Sequence, residues 1–161
     1  MLTLVLRFTH VFFAALWVGM MAYQTFVLMP ALGEVGPDAG KFMGALMRRR
    51  IPTIMVVVAI LALVSGIWLF QRLAGGNPGA LMRTSMGKGF AIGGAAALLA
   101  FLLGIAVVRP VMMKSMRLAQ SGDPAARAEI QRLRARGATM GNVVAGLLLF
   151  ALAAMAVARY L

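Results

Sequence analysis

Hydrophobic residues in this chain come in long unbroken runs, and its charged residues gather between them. Four windows carry no formal charge: Phe8–Gly33, Ile51–Phe70, Gly89–Val108 and Ala138–Ala158. Each is dominated by Leu, Val, Ile, Ala, Met and Phe. A bilayer core of ~30 Å needs about 20 apolar residues of helix. The pattern therefore predicts four transmembrane helices, at about residues 8–31, 51–71, 89–109 and 138–158. The first run far exceeds the roughly 7–15 apolar residues of a signal peptide, so it is expected to stay in the mature protein.

The residues between the runs mark their ends. Pro52 falls in the first turn of span 2, where a missing N–H is harmless, and Gly75-Gly76-Asn77-Pro78-Gly79 is a turn cluster. Asp123-Pro124 reads as a helix start, and Ala125–Arg136 is rich in helix formers. The expected fold is an all-α integral membrane protein with a single membrane domain over residues 1–161. It is a four-transmembrane-helix bundle with a short cytoplasmic helix between spans 3 and 4. No internal repeat or low-complexity segment stands out.

Composition agrees: 62% of the 161 residues are apolar and 12% charged, too apolar for a soluble chain of this size. The net charge of +12 would suggest nucleic acid in a soluble protein. Here it falls between spans, so it is read as an orientation signal and no nucleic-acid partner is expected. The loops after spans 1 and 3 hold eleven Lys and Arg, among them Arg48-Arg49-Arg50; the other side holds five: Arg7, Arg72, Arg83, Lys88 and Arg159. The positive-inside rule then puts both termini on the non-cytoplasmic side, as in a bacterial inner-membrane protein. Beyond the lipid bilayer, the expected partners are other membrane subunits or a second copy of the chain. Gly89-x3-Gly93 and Gly137-x3-Gly141 permit close helix approach.

The chemistry available is narrow. No cysteine is present, which excludes disulfides, iron–sulfur clusters and thiolate metal sites. One histidine excludes a bis-His haem within one chain. The four acids, Glu34, Asp38, Asp123 and Glu129, are expected in loops, which argues against a carboxylate proton relay. In span 1, Arg7, His10, Ala14, Trp17, Met21 and Gln24 follow helical spacing and form one stripe expected to face the bundle. Trp17 lies mid-span, suited to packing on a helix or a bound ring, whereas Trp68 has the position of an interfacial belt residue. Lys88 and Arg83 reach the same depth as His10. Two readings stand for this group: His10 as an axial ligand with Arg7, Arg83 and Lys88 receiving anionic groups, or His10 bonded to a neighbouring helix with the cations at the interface. Fourteen methionines are mostly packing residues, although thioethers also suit Cu(I).

His10-x6-Trp17-Val18-Gly19, Ser65-Gly66 and Gly87-Lys88 resemble motifs of the small four-helix membrane superfamily that includes CopD-type copper-resistance domains and HemJ-type protoporphyrinogen oxidases. The resemblance covers all four spans in order. It implies haem b as cofactor, His10 as its ligand and metal contact, and Lys88 as a functional residue. After Gly19 the chain reads Tyr23-Gln24-Thr25-Phe26-Val27-Leu28-Met29-Pro30, without the arginine of the HemJ-type stretch, so no enzymatic activity is assigned. The expected function is a haem-b-associated redox or porphyrin-related membrane component. The alternatives are a non-catalytic accessory subunit of a larger membrane complex and, third, copper handling.

Overall fold

A computed structural model of the chain describes residues 1–35, 39–121 and 124–161. The described residues form helices and turns, with no strand among them. Four helices are long and apolar enough to cross a membrane: α1 (Leu2–Val35), α3 (Ile51–Ala74), α5 (Ser85–Gln120) and α6 (Arg127–Ala158). Two shorter helices link them, α2 (Ala39–Arg48) between α1 and α3, and α4 (Pro78–Arg83) between α3 and α5. Pro52 lies in the first turn of α3, as its missing N–H requires. Gly75 and Gly76 end that helix at φ +55° and +89°, and Asn77 caps α4 by accepting from the Ala80 N–H.

Two expectations need correcting. Residues 127–136 do not form a separate short helix; they are the first turns of α6, because no proline separates Arg127 from the apolar run and the helix carries the single Gly137 without a break. Strong helix formers let that helix project beyond the span, and α5 does the same with its last turns. Lys114 of α5 and Glu129 of α6 clasp these projections at 2.9 Å. Glu34 and Glu129 also lie within helices rather than loops, though outside the apolar windows; Asp38 and Asp123 fall outside the described residues.

α1 packs along α3 and α5 along α6, while contacts from α3 to α5 and from α1 to α6 close a four-helix ring. α1 and α5 therefore face each other across the diagonal. They meet at Trp17 and Phe101, whose rings stand edge to face with centroids 6.3 Å apart. The interior is built from small residues at helical spacing, such as Ala59 and Ala62 on α3, Gly93, Ala96, Ala97 and Ala100 on α5, and Ala145 and Ala151 on α6. Large apolar side chains, among them Phe8, Ile67, Leu102 and Phe150, point outward. Small inside and large outside suits lipid as solvent, where association depends on close backbone approach.

Between α5 and α6 the close approach is the one that Gly89 and Gly93 permit. A Cβ on Gly93 would lie 2.9 Å from Met155 Cγ and 3.1 Å from the Ala151 carbonyl oxygen; one on Gly89 would lie 2.7 Å from Ala158 Cβ. The second glycine pair differs. A Cβ on Gly137 or Gly141 would rest at 3.5 and 3.8 Å from its nearest neighbours, ordinary contact distances.

Both diagonal helices contain one widened turn, Gln24–Leu28 in α1 and Gly104–Val108 in α5. The Met29 N–H reaches back five residues to the Gln24 carbonyl, and the Arg109 N–H likewise to Gly104. The cause is the residue that follows each. Pro30 and Pro110 have no N–H, and their rings would clash with the carbonyls of Phe26 and Ala106 in a regular helix. Widening the preceding turn moves those carbonyls aside without breaking the helix.

Candidate functional site

His10 is held by α3. Its Nδ1 lies 2.9 Å from the Ala62 carbonyl oxygen. A carbonyl can only accept, so Nδ1 carries a proton, and in the neutral imidazole Nε2 keeps its lone pair. The imidazole sits directly on Gly66: a Cβ there would lie 2.7 Å from His10 Cε1 and 3.0 Å from Nδ1. Glycine at 66 is thus what admits the ring. Ser65 beside it is buried and donates to the Leu61 and Ala62 carbonyls, so the Ala62 oxygen serves two side chains. Nε2 has no partner among the described residues, yet no buried polar side-chain atom there is left unsatisfied. The partly buried ring therefore exposes Nε2 at the bundle surface.

The other residues singled out from sequence divide into two groups. Trp17 and Met21 are buried in the core, and Ala14 and Gln24 are half-buried, so the stripe faces inward except at Arg7, which is exposed. Lys88 and Arg83 are exposed at the corner between α4 and α5. That corner is made by Thr84, which accepts from the Gly87 N–H at 3.0 Å and donates to the Leu81 carbonyl. The ring order puts Lys88 on the helix diagonal to His10, and no described contact brings them together. Trp68 is exposed, as expected of a belt position.

A second feature lies at the opposite, arginine-rich end. A cavity of about 320 Å³ runs between α1, α2, α3 and α5 and touches α6 at Val144. Its wall is apolar apart from Tyr23, Gln24 and Arg109, and seven of its residues are methionines. Both widened turns border it. Of these residues only Trp17, Met21 and Gln24 were marked by the stripe. Pro30 and Pro110, at matching places in two helices that run the same way, were the available sequence signal for the rest.

Among the described residues no three His, Cys, Asp or Glu side chains converge, so a metal held by this chain would draw on His10 and thioethers. Compared with protein-family models, curated proteins and solved structures, the chain finds no match.

Proposed function

We propose that this chain is a four-span integral membrane protein of the CopD/HemJ type that carries haem b through His10. One observation supports it above others: His10 commits Nδ1–H to the Ala62 carbonyl and leaves Nε2 unpartnered and accessible. That is how a metal-ligating histidine is oriented by its surroundings, with the backbone bond fixing ring and tautomer. The chain's residues fit a single axial bond. Ala62 orients the ring, Gly66 gives it room, and Arg7 is the cation nearest in sequence for an acidic group. When bound, haem b would supply one-electron redox chemistry. The positive-inside count favours an orientation with His10 in the outer leaflet of a bacterial inner membrane.

The test is the reduced-minus-oxidised visible spectrum of the detergent-purified protein. A b-type signal in the wild type, lost in His10→Ala while the helical circular dichroism is kept, is the expected result. The second reading is an accessory subunit, favoured by the same bond seen as a helix-to-helix tie between α1 and α3. It predicts no b-type signal and a His10→Ala variant that is only less stable.

A further inference from the structure

The cavity at the arginine-rich end has the shape and polarity of a site for one acyl chain. Its wall on α1 runs from Trp17 to Met29, and its wall on α5 from Ala100 to Met112. At ~1.5 Å per residue each wall is ~18 Å long, about the depth of one leaflet of a ~30 Å core. The deep end is blocked by Trp17 and Phe101 in edge contact. A volume of about 320 Å³ is within the range of ligand sites.

The far end is cationic. Arg109 lines the cavity and has neither ion-pair nor hydrogen-bond partner among the described residues. It lies ~36 Å along α5 from Ser85, beyond the length of a bilayer core, so its guanidinium sits at headgroup depth. No acidic residue lines the cavity. α2 covers the same end with Met43, Leu46 and Met47, and the exposed Arg48, Arg49 and Arg50 stand at and just beyond its last turn. Flexible thioethers adapt to an unbranched chain whose conformation varies. A neutral ring compound would make no use of Arg109, whereas an anionic headgroup would.

We propose that this cavity binds one acyl chain of an anionic amphiphile, tail against Trp17 and headgroup at Arg109. The amphiphile is either a phospholipid from the surrounding leaflet or a free fatty acid. This site is separate from His10 and stands whether or not haem is bound.

The probe is Trp17 fluorescence. The chain has two tryptophans, so Trp68→Phe, at an exposed position, leaves Trp17 as sole reporter. Brominated chains quench tryptophan on contact. The variant is reconstituted in neutral phosphatidylcholine and titrated with brominated phosphatidylglycerol, brominated phosphatidylcholine or brominated palmitate. Saturable quenching by phosphatidylglycerol identifies the bilayer source, and saturable quenching by palmitate alone identifies the free acid; either supports the site. Arg109→Gln should weaken it about five-fold, the worth of one cation at a charged surface. Gly104→Phe supplies a second check, because Gly104 lines the cavity and a Cβ there meets nothing within 4 Å. It should fold and abolish quenching. Equal quenching by neutral and anionic chains, indifference to both substitutions, or no saturable quenching overturns the proposal.

Discussion

Gly66→Ala offers a direct measure of how His10 is held. The added Cβ would start 2.7 Å from His10 Cε1, and carbon atoms rest at about 3.5 Å or more, so the ring must retreat by about 0.8 Å. Moved that far from a 2.9 Å bond to the Ala62 oxygen, Nδ1 ends near ~3.7 Å, past hydrogen-bonding distance. An interhelical hydrogen bond in a membrane is worth about 0.6 kcal/mol on average and up to ~1.7. Alanine also favours helix over glycine by up to ~1 kcal/mol, so the single substitution alone could look silent. A double-mutant cycle with His10→Ala removes this difficulty, since the propensity gain occurs in both backgrounds and cancels. The assay is unfolding of the dodecylmaltoside-solubilised protein by sodium dodecyl sulfate, followed by circular dichroism. The expected coupling is about 1 kcal/mol, with Gly66→Ala stabilising once the imidazole is gone. If the two changes add within about 0.3–0.5 kcal/mol, the error for independent sites, the ring is not seated on Gly66.

Three further outcomes are expected. Gly93→Leu should lower the thermal midpoint in detergent sharply, because its side chain meets Met155 and the Ala151 carbonyl, whereas Gly141→Ala should be nearly neutral at 3.8 Å from Thr25. Single cysteines at Ser121 and Asn77, labelled in intact cells with an impermeant maleimide, should react at Asn77 only; the reverse pattern would put His10 in the inner leaflet. Lys114 holds the Glu129 carboxyl below the usual carboxylate range, first through its hydrogen bond and then through its charge. A lowered value means that the tie is present at neutral pH and lost as pH falls through the folded-state value. Amide protection over residues 114–121 and 127–136, taken relative to the intrinsic exchange rate at each pH, should therefore fall on acidification, and Glu129→Gln should show the lower protection at both pH values.

The four spans were readable because bilayer thickness and apolar length leave few alternatives, and each window falls inside a long helix. Helix ends were harder to place. Charged residues such as Arg109 and Arg136 bound an apolar window without ending a helix, so α5 and α6 overrun the predicted spans. The inward stripe held at Trp17 and Met21, where spacing alone decides the face. It could not show that α1 and α5 are diagonal, which is why His10 and Lys88, matched in depth, remain apart. Gly66 and Ala62 were invisible as the seat of His10, since a contact 52 or more residues away leaves no local pattern. The cavity was missed for a related reason: its walls come from five helices, and beyond the stripe residues Trp17, Met21 and Gln24 only the prolines after its widened turns left a trace.

Successive spans are neighbours around the ring, and this has a consequence for how the chain is made. For the membrane protein proposed above, each span emerging into the bilayer would find its predecessor already there, so α3 could dock on α1 and α6 on α5 without waiting for distant sequence, a local topology that favours rapid folding. One seam is different. The α1 to α6 contact joins the first span to the last, and the central layer lacks Val144, Ala145 and Leu148 until α6 arrives. Until that moment the inner faces of the first three spans, Trp17 included, have lipid as their neighbour. Closure of the bundle thus waits for α6, and a ribosome stalled before Gly141 would leave an open ring of three spans.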